Sequence, residues 1–126
     1  MNRNFVLIVC VTLLAGCSSS KPTEEQLNNA DYGLYPENYV DIAKAWLTDQ
    51  YSSLSASGVR DLSIAKPVKG YQSGSLFDSG GPVFGYETEI TYSVTASTGR
   101  RMATTRYRVL LLIRDGKVIR SKETTQ

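Results

Sequence analysis

Cys17 is the residue whose type and position are best suited to a specific chemical reaction. Cys17 follows Leu-Ala-Gly, and the small residues Ala15 and Gly16 come directly after an uncharged, apolar segment that covers residues 5–14. This segment has about half of the roughly twenty apolar residues that a membrane-spanning helix needs. A basic start, here Arg3, an apolar run and small residues ahead of a cleavage point are typical of a signal peptide. We therefore predict a signal peptide over residues 1–16.

The order Leu14, Ala15, Gly16, Cys17 resembles the lipobox of bacterial lipoproteins. The resemblance implies that the thiol of Cys17 receives a diacylglyceryl group and that the chain is cut between Gly16 and Cys17. Mature lipoproteins carry two or three acyl chains, which anchor stably, whereas one chain holds a protein only marginally. In that family an Asp after the cysteine commonly retains the protein on the inner membrane, so Ser18 implies the outer membrane, with the domain facing the periplasm. The alternative is a free thiol at the end of an ordinary secretory leader.

The rest of the chain is poor in residues that catalyse reactions. It contains no histidine, and its other cysteine, Cys10, lies in the predicted signal peptide. The usual general base at neutral pH, the commonest zinc ligand and every histidine-activated nucleophile are therefore missing. The Ser-Gly-Gly run at residues 79–81 lacks the lysine and the following helix of a phosphate-binding loop. We predict no catalytic residue, no metal site and no cofactor, and hence a protein that is not an enzyme.

The charge balance gives no indication of a nucleic-acid partner. The chain has 14 Lys and Arg residues against 12 Asp and Glu, and Arg3 belongs to the predicted signal peptide, so the mature chain is nearly neutral. After Cys17 there is no further cysteine. The mature domain must therefore be stable without an internal disulfide, although the envelope is oxidising.

Residues 18–30 are almost entirely polar, with Leu27 as their one large apolar side chain. Such a segment buries too little apolar surface to offset the entropy lost on ordering. We predict a lipidated, flexible tether over residues 17–30, followed by one small domain over residues 31–126. A domain of this length can form one modest core.

The periodicity of residues 36–54 predicts a single amphipathic helix. Pro36 suits its first turn, and Gly58 limits how far it extends. The apolar face is predicted to contain Tyr39, Val40, Ile42, Ala43, Trp46, Leu47, Gln50, Tyr51 and Leu54. A face of this width requires a sheet to pack against.

Alternating apolar and polar residues predict two long strands, at residues 84–96 and 102–114. A turn centred on Thr98 and Gly99 pairs Ile90 with Tyr107. The same register buries the apolar residues of both strands on one face and places Glu89 opposite Arg108.

An Asp-Gly pair at residues 115–116 predicts a tight hairpin turn into a third strand, in which Val118 faces Ile113 and Ile119 faces Leu112. A weaker strand is predicted at residues 59–66, and the glycine-rich residues 70–82 are predicted to form a mobile loop. The predicted fold class is α+β, with one N-terminal helix packed on a three- to four-stranded antiparallel sheet.

Residues 32–39 read Tyr-Gly-Leu-Tyr-Pro-Glu-Asn-Tyr. They resemble a Tyr-Gly-x-Tyr-Pro-x-Asn-Tyr pattern of small proteobacterial lipoproteins, where it follows the lipobox and precedes a helix, a strand, a loop and a hairpin with an Asp-Gly-Lys-Val turn. The resemblance implies a fold and a location, and the group has no established activity. From the residues, Leu34 or Tyr35 packs on Tyr39 or Val40 as a hydrophobic staple, or the tyrosines form a recognition site.

Two surface features are candidates for binding. In the predicted register Leu110, Leu112 and Ile119 lie on the polar side of the sheet, where either the 32–35 segment or another protein must cover them. A basic group around the long hairpin either balances nearby glutamates or binds an anionic surface. The candidate partner-binding residues are Tyr32, Tyr35, Leu110, Leu112, Ile119, Arg106 and Arg108.

These observations predict a non-enzymatic envelope lipoprotein that binds a protein partner, as an accessory module of an assembly such as a secretion or conjugation apparatus. One alternative is an inhibitor or immunity-type lipoprotein that blocks an incoming enzyme. The other is a module that binds an anionic glycolipid. The predicted contacts are the membrane, through the lipid, and a protein partner in the envelope, without nucleic acid or metal.

Overall fold

The computed structural model describes residues 21–52, 58–73 and 81–124. The predicted signal peptide, the cleavage point at Gly16 and the lipidation site at Cys17 lie outside the described residues. Within the described ranges the elements are α1 (Glu24–Asn29), α2 (Tyr39–Gln50), β1 (Val59–Ile64), β2 (Val68–Gln72), β3 (Val83–Thr98), β4 (Arg101–Arg114) and β5 (Lys117–Thr124). The strands form one antiparallel sheet, so the fold is of the α+β kind. The predictions of one helix and of at most four strands are wrong, since a second helix and a fifth strand are present.

The sheet has the order β1-β3-β4-β5, and β2 pairs with β3 farther along the edge that β1 occupies. β1 pairs up to Ile64↔Ile90, and β2 resumes at Val68↔Glu87. Pro67 lies between them and has no N–H to donate, which interrupts the pairing. The weak strand predicted at residues 59–66 is confirmed, since β1 covers Val59–Ile64.

β2 corrects the predicted loop. Residues 70–72 belong to this strand, with Gly70 opposite Gly85. Their glycine content suggested a loop, but pairing with β3 outweighs the weak local preference for a strand. Residues 74–80 of the predicted loop lie outside the described residues.

The long β3–β4 hairpin is confirmed, but its predicted register is wrong. Ile90 pairs with Val109 rather than Tyr107, and Thr98 pairs with Arg101, so the turn is centred on Gly99 and Arg100. Gly99 has a φ of 66°, as the first central residue of a II′ turn requires, and a β-branched threonine would be strained at a positive φ. Because the pairing shifts by two residues, every side chain remains on its predicted face.

The β4–β5 hairpin turns at Asp115 and Gly116, as predicted. Their φ values of 51° and 76° are both positive, which matches a type I′ turn. Val118 pairs with Ile113, also as predicted, but Leu112 pairs with Arg120 rather than with Ile119. The register shift there is a β-bulge that leaves one extra residue on β5.

α2 packs on one face of the sheet and completes the core. Its Ala43 and Leu47 are fully buried in one cluster with Ile90, Val109 and Leu111. Trp46, Tyr51, Val59, Leu62, Ile64, Val94, Tyr107 and Val118 pack around this cluster and are partly buried. Ala43, Trp46, Leu47 and Tyr51 of the predicted apolar face thus contribute to the core, whereas Val40 and Gln50 are exposed.

The predicted helix was too long at both ends. Pro36 lies in a turn before α2, where its carbonyl accepts a hydrogen bond of 3.1 Å from the N–H of Tyr39. At the other end Tyr51 has an extended backbone, and its N–H caps the Leu47 carbonyl at 2.9 Å. Leu54 lies outside the described residues.

Residues 24–29, which were predicted to belong to a flexible tether, form α1. A capping box starts this helix: the Gln26 N–H donates to Thr23 Oγ1 at 3.2 Å, and the Thr23 N–H donates to Gln26 Oε1 at 3.0 Å. Pro22 is buried and Leu27 is half-buried. Local capping and contacts with the domain thus order a segment whose composition alone indicated disorder.

Candidate functional site: a basic cleft and an exposed hairpin arm

The tyrosines of residues 32–39 pack on the sheet. The Tyr32 ring lies edge-on to Phe84 with centroids 5.7 Å apart, and its hydroxyl donates to the Leu27 carbonyl at 2.7 Å. The Tyr35 ring lies edge-on to Tyr86 at 5.3 Å. These contacts favour a role in the fold over a tyrosine-lined recognition site.

Residues 31–33 lie against the β4–β5 hairpin and contact Arg114 and Asp115. The Arg114 guanidinium donates to the carbonyl oxygen of Asp31 at 2.9 Å and to its carboxylate at 3.0 Å. Gly33 has a φ of 76°, and a Cβ there would lie 3.0 Å from Asp115 Oδ1. The glycine of the motif therefore allows both the backbone conformation and the close approach.

The predicted apolar partner surface does not form. Leu112 is fully buried within the fold, Leu110 is half-buried, and Ile119 is 38% exposed on β5. Leu34 is 79% exposed and Tyr35 packs on Tyr86, while Tyr32 of the same segment lines a cleft together with Leu110.

The two arginines of the predicted partner site differ in their surroundings. Arg108 is half-buried, and its Nε lies 3.5 Å from Glu89 Oε1. This ion pair was predicted between directly opposite residues, but it is diagonal, because Glu89 pairs with Leu110 and Arg108 with Thr91. Arg106 is exposed farther out along β4. Of the two, Arg106 is thus the one accessible to a partner.

A cleft of about 1130 Å³ lies between the N-terminal segment, β2 and β5, over the central strands. Its cationic side chains come from three separate parts of the chain: Lys21, Lys69, Arg120 and Lys122. Among the described residues that line it, Glu87 is the one carboxylate. We call this site the basic cleft.

Glu87 is partly buried in the basic cleft. Burial raises the pKa of its carboxyl group, and Glu89 adds to this effect, while a hydrogen bond with Gln72 and the charge of Lys122 act in the opposite direction. Gln72 also donates to the Leu110 carbonyl at 3.2 Å.

The basic cleft was not predicted from the sequence. Arg120 and Lys122 belong to the basic group predicted around the hairpin. Lys21 lies in the predicted tether, and no sequence pattern singles out Lys69. Lys69 lies 5.3 Å from the centre of the Tyr32 ring, which connects β2 to the N-terminal segment. Such a contact has no signature in a single sequence.

The outer end of the β3–β4 hairpin, residues 95–106, extends past the other strands of the sheet that the structure describes. β1 reaches only as far as Val59↔Val94, and β5 ends at Thr124, opposite Arg108. Residues 96–97 and 99–106 are all exposed, and Met102 is 72% exposed. We call this two-stranded segment the hairpin arm.

Within the described parts of the chain, no helix has both the length and the apolar character needed to cross a membrane. The same residues contain no group of three or more His, Cys, Asp and Glu side chains that could bind one metal ion. Comparisons with known protein families, curated proteins and solved structures found no match. A function must therefore be argued from the basic cleft and the hairpin arm.

Proposed function

We propose that this protein is a lipoprotein of the bacterial cell envelope whose domain acts as a non-enzymatic module that binds a protein partner. The location is supported by the Leu-Ala-Gly-Cys order that ends at Cys17 and by the apolar run before it. Ser18 favours the outer membrane, with the domain on its periplasmic side. The resemblance of residues 32–39 to small proteobacterial lipoproteins agrees with this location.

The observation that carries the partner-binding role is the hairpin arm. The side chains of residues 96–97 and 99–106 are exposed, although ordering them costs conformational entropy. A two-stranded ribbon without a third strand is only marginally stable in water. A long, exposed ribbon is therefore best explained by contacts that it makes with another molecule.

The chemistry of the arm indicates the kind of partner. Residues 95–106 include Arg100, Arg101 and Arg106 and contain no Asp or Glu. Arginine and methionine are enriched in protein interfaces, and a basic surface steers the approach of an acidic one. Among the described residues no strand pairs with either outer edge of the arm, so a partner can also add a strand there.

Photo-crosslinking in intact cells tests the role of the arm. A photoreactive residue replaces Met102, and a matched control replaces Val68, which is 63% exposed on β2. We expect one dominant crosslinked protein from position 102 and none from position 68. Equal products from both positions, or none from either, would contradict binding through the arm. An absence of any endogenous product would instead fit an inhibitor of a foreign protein.

The lipid anchor has its own test. Cys17→Ser removes the thiol that receives the lipid, so the precursor should keep its leader and the mature form should disappear from membrane fractions. Cell fractionation and the mass of the mature N-terminus measure both effects. Unchanged processing of Cys17→Ser would refute the anchor and leave the arm unaffected.

A further inference from the structure

The N-terminal segment reaches the basic cleft within a few residues of the proposed anchor. Lys21 lines the cleft, Pro22 is buried, and the capping box at Thr23 fixes α1 beside it. The bond from the Tyr32 hydroxyl to Leu27 and the ion pair between Asp31 and Arg114 hold the rest of the segment. The folded domain therefore begins at about residue 21 rather than residue 31.

This starting point limits the distance between domain and membrane. Lys21 is four residues after Cys17 in the chain, which allows at most about 14 Å between them, since an extended chain spans roughly 3.3–3.6 Å per residue. An extended tether over residues 18–30 would allow about three times that distance. Charges at the cleft mouth thus come within one or two Debye lengths, about 8 Å each, of the lipid headgroups.

We propose that the basic cleft faces the membrane that carries the anchor and binds the phosphate of an anionic phospholipid headgroup. The inference rests on the proposed anchor at Cys17. Lysine ammonium groups bind phosphate as compact point charges, and Lys21, Lys69 and Lys122 bring three of them to one cleft. Leu27 and Leu110 line the same cleft and provide apolar contacts for the lipid atoms next to the phosphate.

The cleft and the hairpin arm are separate surfaces of the domain. Gly99 lies twelve residues beyond Glu87 along the β3–β4 hairpin, up to about 40 Å at roughly 3.3 Å per residue. The tip of the hairpin arm therefore lies far along the sheet from the residues that line the cleft. The arm is then available to a partner in the periplasm.

The test uses the lipidated protein in vesicles of neutral lipid with or without phosphatidylglycerol. A fluorophore is attached at Asn28→Cys, beside the cleft, or at Thr105→Cys, on the arm, and the quencher is a nitroxide on lipid headgroups. We expect anionic lipid to increase the quenching at position 28 by more than it increases the quenching at position 105. Inorganic phosphate should reduce this difference more than chloride at the same ionic strength.

Charge variants identify the residues that are responsible. Lys69→Gln with Lys122→Gln should lower the population of the orientation in which the cleft faces the membrane, relative to all others, by about fivefold per lysine. A cation near an anionic surface contributes about 1 kcal/mol. Lys44→Gln with Lys66→Gln makes the same charge change at exposed positions outside the cleft and should have little effect.

Quenching at position 28 that is equal in neutral and anionic vesicles would overturn the proposal, as would equal effects of the two lysine pairs. An effect of inorganic phosphate in the absence of any quenching at position 28 by the headgroup nitroxide would also overturn it, because the cleft would then bind phosphate away from the membrane. Failure of the anchor is a separate result, because unlipidated protein would not float with the vesicles at all.

Discussion

The inner and outer parts of the β3–β4 hairpin share one continuous antiparallel pairing, but their side chains lie in different surroundings. In the inner part Ile90, Leu111 and Leu112 are fully buried, whereas in the hairpin arm every described side chain from residue 99 to 106 is exposed. The difference comes from neighbours: α2, β1 and β5 surround the inner part, and none of them extends along the arm.

This comparison shows that strand pairing alone does not make a core. Burial of one large apolar side chain contributes about 1.5–3 kcal/mol, whereas a hydrogen bond formed in exchange for one with water contributes about 1 kcal/mol. The inner part therefore supplies most of the stability of the domain, and the arm is free to serve a partner. Four predictions test this division.

The largest difference is expected between Leu47→Ala and Met102→Ala. Leu47 is fully buried between α2 and the sheet, so its truncation should lower the free energy of unfolding by about 2–5 kcal/mol. Met102 is 72% exposed on the arm, and its truncation should change stability by less than about 0.5 kcal/mol. Urea unfolding measures both. A large loss from Met102→Ala would mean that the arm contributes to the core.

Two glycines give the next comparison. A Cβ at Gly85 would lie 2.7 Å from the Ile113 carbonyl oxygen, so Gly85→Ala should cost about 3 kcal/mol by overpacking. At Gly99 no atom lies within 4 Å of such a Cβ, but the φ of 66° makes Gly99→Ala cost about 1–2 kcal/mol. Thermal unfolding of both variants measures the difference. Equal costs would indicate that β4 moves away easily from Gly85.

Replacing two threonines by valine should change the free energy of unfolding in opposite directions. Thr88 is fully buried, and its hydroxyl has no hydrogen-bond partner among the described residues. Thr88→Val should therefore raise the free energy of unfolding by about 1 kcal/mol, because it removes an unpaired polar group without changing the shape. Thr104→Val on the arm breaks an exposed 3.0 Å bond to Thr95 and should cost only a few tenths of a kcal/mol. A loss of stability in Thr88→Val would reveal a partner for its hydroxyl.

The smallest effect is expected from the pH dependence at Glu87. Its pKa in the folded protein is raised above 4.5, so the folded state binds this proton more tightly than the unfolded state. The stability that the proton contributes is present below pH 4.5 and is lost as the pH rises through the folded pKa. Glu87→Gln should therefore unfold at a slightly higher temperature than wild type near pH 7, and this advantage should vanish near pH 4. An advantage independent of pH would contradict the assignment.

Much of the sheet could be predicted because its determinants are local. Alternation placed Ile90 and Val109 on the buried face, and this held although the register was wrong by two residues. The Asp115–Gly116 turn was equally clear, since it depends on which residues tolerate a positive φ. The position of the β3–β4 turn was missed because Gly99 can be either central residue of a two-residue turn.

The order of residues 21–30 and the basic cleft could not be read from the sequence, because both depend on contacts between distant parts of the chain. Residues 18–30 are poor in apolar side chains, and this composition predicted a flexible segment. The contacts of Tyr32 with Phe84 and of Asp31 with Arg114 nevertheless bring α1 onto the domain. Lys21, Lys69 and Lys122 become neighbours only when that segment and β2 are in place. Periodicity and turn chemistry thus specify faces and turns within an element, whereas long-range packing decides which charges meet.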